Sequence, residues 1–91
     1  MRLADDDIAG RLRGLPGWVL AGSAVTKQFE FGDFTAAMSF VTAVALMAER
    51  ANHHPDIDIR WNKVTLTLST HSAGGLTEKD FALAQKIEAL N

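Results

Sequence analysis

Two periods alternate along the chain. After the acidic run Asp5-Asp6-Asp7, the residues Ile8, Leu12 and Leu15 recur at i, i+4 and i+7, which is one stripe of a helix. Aspartate suits an N-cap and a first turn, and Arg11 and Arg13 suit the opposite end of the helix dipole. Gly14 and Pro16 stop the pattern, so a helix is predicted over 5–13. The period then changes to two. Trp18–Ala21 and Ala24–Phe31 flank Gly22-Ser23, which reads as a two-residue hairpin turn. In the second run Val25, Lys27, Phe29 and Phe31 share one face, and Thr26, Gln28 and Glu30 share the other.

Gly32-Asp33 closes that strand and caps the next element. From Phe34 to Ala51 there is neither Pro nor Gly, and helix formers dominate. Phe34, Met38, Val41, Ala45 and Ala48 form one apolar stripe, with Phe40, Val44 and Met47 beside it. A face this wide suits packing on a sheet and, in part, on a second copy of the chain. Asn52-His53-His54-Pro55-Asp56 breaks the helix, and strands are expected over 57–61 and 63–71. In the last strand Val64, Leu66 and Leu68 point one way, with Thr65, Thr67, Ser69 and His71 opposite. Ser72-Ala73-Gly74-Gly75 reads as a flexible turn. Thr77 and Asp80 have capping-box spacing, with Asp in place of the usual Glu, ahead of an amphipathic helix carrying Phe81, Leu83, Ala84, Ile87 and Leu90. The order α-β-β-α-β-β-α predicts an α+β fold. It consists of a single antiparallel four-stranded sheet with helices packed on one face, in one domain over 1–91.

Composition narrows the function classes. Nine basic and eleven acidic residues give a net charge of −2, which argues against a nucleic-acid partner. No cysteine is present, so neither a disulfide nor a thiolate metal site is available. No apolar run approaches the ~20 residues of a membrane span, and the first residues lack the apolar core of a signal peptide. The expectation is a cytoplasmic protein without a membrane partner. No nucleophile elbow, phosphate-cradling loop or dinucleotide motif occurs; Gly74-Gly75 lacks the strand-before context such a motif needs.

The three histidines are the most informative residues. His53 and His54 sit on the turn after the long helix, and His71 follows a strand pair that would return the chain toward the same rim. Imidazole gives and takes protons near neutral pH. Glu49, one turn before His53, could fix an imidazole tautomer, and Asp80 could do so from another side. Plainer readings stand beside these. A His-His-Pro turn can be a solvated turn, His71 a surface residue, Glu49 a solvated charge and Asp80 a cap. A three-histidine zinc site is a further alternative, although no HExxH spacing occurs.

Taken together, Glu49-Arg50-Ala51-Asn52-His53-His54-Pro55, Trp61-Asn62-Lys63-Val64, Leu68-Ser69-Thr70-His71 and Gly75-Leu76-Thr77 with Asp80 resemble the pterin-4a-carbinolamine dehydratase family. The resemblance extends from about Trp18, through Lys27–Phe31, to the C-terminus. It implies dehydration of 4a-hydroxytetrahydropterin to quinonoid dihydropterin, in tetrahydropterin recycling, with no metal and no organic cofactor. The implied fold is a single antiparallel sheet with helices on one face, assembled as a homodimer or homotetramer. Carried over, the catalytic set is His53, His54, His71, Glu49 and Asp80. The substrate contacts are His53, His54, Pro55, Thr70, His71 and Ser72. Ile57 stands where many members carry an aromatic residue and Asp58 where some do, which alters the surface on which a pterin would stack. Family relatives with non-catalytic roles, as assembly factors or transcriptional dimerisation partners, supply the competing expectation.

Overall fold

The computed structural model describes residues 1–91 and realises the expected order of elements. Helix α1 spans Asp5–Leu12, strands β1 and β2 span Val19–Ala21 and Ala24–Glu30, and helix α2 spans Phe34–Ala51. Strands β3 and β4 span Asp56–Arg60 and Lys63–Leu68, and helix α3 spans Glu78–Glu88. The strands form one antiparallel sheet in the order β1-β2-β4-β3. Gly22, at φ 60°, makes the tight β1–β2 turn in a conformation that costs glycine little.

The register sets the core. Val25 pairs with Leu68 and Phe29 with Val64, so the apolar positions of β2 and β4 share one face. Val25, Val64, Leu66 and Leu68 are wholly buried there, each contributing about 1.5–3 kcal/mol of burial free energy. Phe81, Leu83, Ala84 and Ile87 of α3 close over the same face. Lys27 lies on it too, opposite Leu66. Its ammonium lies over the Phe29 ring, 4.8 Å from the centroid, and reaches the Glu88 carboxylate at 2.9 Å and the Pro16 carbonyl at 2.9 Å. Glu88 also accepts the indole N–H of buried Trp18 at 3.0 Å, so one carboxylate satisfies both rim donors.

The stripe of Phe40, Val44 and Met47 faces the core, joined by Ala37 and by Val41 and Ala48 of the other stripe. Ala37, Phe40, Val44 and Ala48 are buried, with Val41 and Met47 packed at the margin. Phe34 and Leu46 remain at least half exposed. The sequence expectation about apolar runs needs correcting here. The eighteen residues of α2 reach a mean hydropathy of 1.2, enough in length and composition for a membrane span, and 22% of them are buried in the fold. The buried stripe shows that α2 serves as a core helix with an apolar outer face.

Two boundaries also move. The last strand ends at Leu68 rather than His71, because Thr70 and Gly75 exchange backbone hydrogen bonds and close a loop. His71–Ala73 forms one 3-10 turn inside that loop, ended by Gly74 at φ 72°. The segment read as a flexible turn is therefore a hydrogen-bonded one. Strand β3 begins at Asp56 and ends at Arg60, and Trp61 sits in the β3–β4 turn at φ 53°, exposed. Asn62 anchors that turn by donating its side-chain amide to the Phe31 carbonyl at 2.8 Å. Arg11 joins α1 to the start of α3 through Glu78, whose hydrogen bond pushes the guanidinium pKa upward.

Candidate functional site

The end of α2 places the paired histidines. Asn52 adopts the left-handed conformation at φ 50°, ψ 43°, which asparagine tolerates better than most residues. The His53 N–H then returns to the Ala48 carbonyl at 3.1 Å, as in a helix-closing motif. The chain reverses, so consecutive imidazoles take opposite directions: His53 turns inward and is 11% exposed, while His54 turns outward and is 55% exposed.

His53 meets Asp80, whose side chain is wholly buried. The imidazole Nε2 lies 2.5 Å from Asp80 Oδ1. The other oxygen, Oδ2, accepts the Thr70 hydroxyl at 2.7 Å and the Thr77 backbone N–H at 2.9 Å. Thr77 Oγ1 in turn accepts the Lys79 backbone N–H and lies 2.9 Å from Thr70 Oγ1. The capping box expected at α3 is thus present, and its carboxylate reaches the turn after α2 as well. An ionised carboxylate only accepts, so all three neighbours donate to it. His53 therefore carries a proton on Nε2, which in the neutral ring leaves Nδ1 as the bare nitrogen.

Glu49 pairs with His54 rather than His53, at 2.5 Å, and its side chain is 76% exposed. The difference follows from the reversal at Asn52, which carries His53 off the outer face of α2. Such an exposed pair contributes at most about 1 kcal/mol. Glu49→Gln should accordingly lower turnover by no more than about 5-fold, which steady-state kinetics against the uncatalysed rate would check. His71 is exposed, and its ring makes no hydrogen bond within the chain.

His53, His54, Thr70, His71 and Ser72 line one pocket of about 350 Å³. Its remaining walls come from Asn52, Ser69 and Lys79, and none of the lining residues is hydrophobic. Asp80 holds the pocket from behind, while Glu49 and Pro55 stand outside its lining; Pro55 leads into β3. The three histidines, drawn from two elements of the fold, converge, although His71 does so from a 3-10 turn rather than a strand end. A larger cavity of about 610 Å³ adjoins it across Thr70, Ser72 and Lys79, roofed by the N-terminal residues, and contains no histidine. No three His, Asp or Glu side chains assemble in metal-ligating geometry.

Sequence reasoning missed Asn52, Ser69 and Lys79 as pocket residues. Asn52 carried a usable signal, since asparagine immediately after a long helix suits a left-handed cap. Lys79 carried none, because one lysine in a first turn resembles any solvated charge.

A sequence profile described as Pterin 4 alpha carbinolamine dehydratase matches residues 1–90. A relative from Roseiflexus sp. (strain RS-1), provisionally named pterin-4-alpha-carbinolamine dehydratase, is 54% identical over 89 residues, covering 98% of this chain and 96% of its own. Another from Acidobacterium capsulatum, with the same provisional name, is 56% identical over 89 residues, covering 98% and 97%. Among solved structures, a transcriptional coactivator/pterin dehydratase from Brucella melitensis superposes with a TM-score of 0.95 at 39% identity, over 99% of this chain and 98% of that one. A pterin dehydratase-like protein identified as a RuBisCO assembly factor in the alpha-carboxysome superposes with a TM-score of 0.66 at 27% identity, over 80% and 84%. With its profile match spanning nearly the whole chain and relatives above half identity, this protein belongs to the pterin-4a-carbinolamine dehydratase family.

Proposed function

We propose that this chain dehydrates 4a-hydroxytetrahydropterins to quinonoid dihydropterins, with histidines as proton donor and acceptor. The observation that carries the reading is the convergence of His53, His54 and His71 on one polar pocket in a chain of this family. In the reaction the C4a–O bond breaks, N5 loses its proton, and the N5 electron pair completes the C4a=N5 bond. The oxygen leaves as water once protonated. One group must therefore give a proton and another take one, which imidazoles do near neutral pH. No covalent intermediate is required, so no nucleophile is missing. His53 and His71 enter from different elements and suit opposite faces of a ring held between them, each as the acid for one 4a epimer. His54 binds and assists. Such proton transfer contributes ~10²–10⁴-fold, and the reaction also proceeds slowly unaided. A spectrophotometric assay on freshly generated 4a-hydroxytetrahydropterin tests this directly: the protein should accelerate loss of the carbinolamine, and the uncatalysed rate would refute the reading.

The solved neighbours named for coactivation and carboxysome assembly show that this fold also occurs in interaction proteins. The complete His53–Asp80–Thr70 network favours the enzyme here. The outer face of α2, with Phe34 and Leu46 exposed, supports self-association as a homodimer or homotetramer. Sedimentation at micromolar concentration should give a multiple of the 9.9 kDa chain mass, and a sharp monomer would contradict this.

A further inference from the structure

The resemblance makes Thr70 a substrate contact, but its hydroxyl is committed elsewhere. Thr70 and Thr77 are both buried, and their oxygens lie 2.9 Å apart. A hydroxyl has one proton. Thr70 donates its own to Asp80 Oδ2 at 2.7 Å, because a carboxylate can only accept. The Thr77 hydroxyl must then be the donor in the threonine pair. Its oxygen remains free to accept the Lys79 N–H, as observed. Every proton in the chain is thereby assigned. Thr77 donates to Thr70, Thr70 to Asp80 Oδ2, and His53 Nε2–H to Asp80 Oδ1.

We propose that Thr70 and Thr77 are positioning residues for the dehydratase site, which hold the Asp80 carboxylate at the angle that fixes His53 in its Nε2–H form. The capping box of α3 explains why Asp80 needs this help. The Thr77 N–H and the Thr70 hydroxyl both converge on Oδ2, and together they leave Oδ1 aimed at the imidazole. Glutamate, the usual residue at this point of a capping box, carries one more methylene and would carry the carboxylate past this position. The aspartate is therefore matched to the double task of capping the start of a helix and orienting an imidazole. Without the Thr70 hydroxyl, the carboxylate keeps only the cap bond on Oδ2 and can rotate away from His53. The proton on the neutral His53 ring then has no fixed site, and the nitrogen left to exchange a proton with substrate is no longer always Nδ1.

The inference rests on the dehydratase reading for its kinetic arm alone. Thr70→Val replaces the hydroxyl by a methyl of similar size and leaves the Thr77 cap in place, while Thr70→Ser restores the hydroxyl. A positioning role predicts that Thr70→Val lowers kcat by roughly 10-fold with KM nearly unchanged, and that Thr70→Ser recovers most of it. A substrate contact predicts the opposite split, a raised KM at unchanged kcat, and that result would overturn the proposal. The second arm is independent of any activity. Long-range proton–nitrogen correlation spectra of ¹⁵N-histidine-labelled protein, at a pH where the imidazoles are neutral, report which ring nitrogen holds the proton. Wild type and Thr70→Ser should show His53 as a single Nε2–H tautomer, and Thr70→Val a mixture. A wild-type His53 protonated on Nδ1, or a Thr70→Val spectrum identical to wild type, would refute the positioning role. A wild-type protein that fails to accelerate dehydration but shows the expected spectra would refute the dehydratase reading and leave the positioning role standing.

Discussion

Asp80→Asn is expected to damage stability and turnover together. The wild-type carboxylate is wholly buried and accepts from His53, Thr70 and the Thr77 backbone. An amide of the same shape has only one accepting atom. Its NH₂ group must face either the imidazole N–H or the two donors on the helix side, and no water reaches a site with no exposed surface. A buried donor left facing a donor costs about 1–3 kcal/mol, and the weakened cap adds about 1 kcal/mol. The sum, about 2–4 kcal/mol, corresponds to a fall of about 10–25 °C in melting temperature for a chain of this length. Calorimetry would check the first effect. Turnover of the folded fraction should also drop by at least 10-fold, because His53 loses its fixed tautomer.

The second large effect concerns the histidines. His53→Ala and His71→Ala should each slow dehydration, and the double variant should lose most of the ~10²–10⁴-fold that proton transfer supplies. The structural consequences differ. His71 is exposed and without a partner in the chain, so its removal should leave melting unchanged within about 0.5 kcal/mol. His53 is nearly buried and satisfies Asp80 Oδ1, but its removal opens that oxygen to the pocket and to water. A loss of about 1 kcal/mol follows, far short of unfolding the chain.

The fold was legible because its two periods are clean. The alternation in Val64, Leu66 and Leu68 and the Pro-free run from Phe34 to Ala51 each admit one reading, and the hairpin at Gly22-Ser23 carries its own turn chemistry. The misplaced boundary at His71 has a tertiary cause. Alternation continues through Ser69 and His71 in the sequence, but the β2–β4 register ends at Val25–Leu68 and β2 has only Ala24 beyond it, so no strand remains for His71 to pair with. Thr70 finds Gly75 instead. Of the site, the histidines and the two carboxylates were readable by type, whereas their pairing was not. Helical spacing puts Glu49 beside His53, and only the left-handed turn at Asn52 exchanges His53 for His54. Asp80 looked like a cap and is one; the second duty of its other oxygen depends on how α3 lies against the end of α2, which no local pattern encodes.

The proposed dehydration takes place in the pocket of His53, His54 and His71. Its most direct test is the initial rate of carbinolamine loss, measured on freshly generated 4a-hydroxytetrahydropterin, for wild type and for the His53→Ala, His71→Ala double variant, each with its melting curve. Wild type should accelerate the loss markedly, and a double variant that still melts cooperatively should show a rate near the uncatalysed background. Wild-type turnover in a cooperatively folded double variant would contradict this assignment.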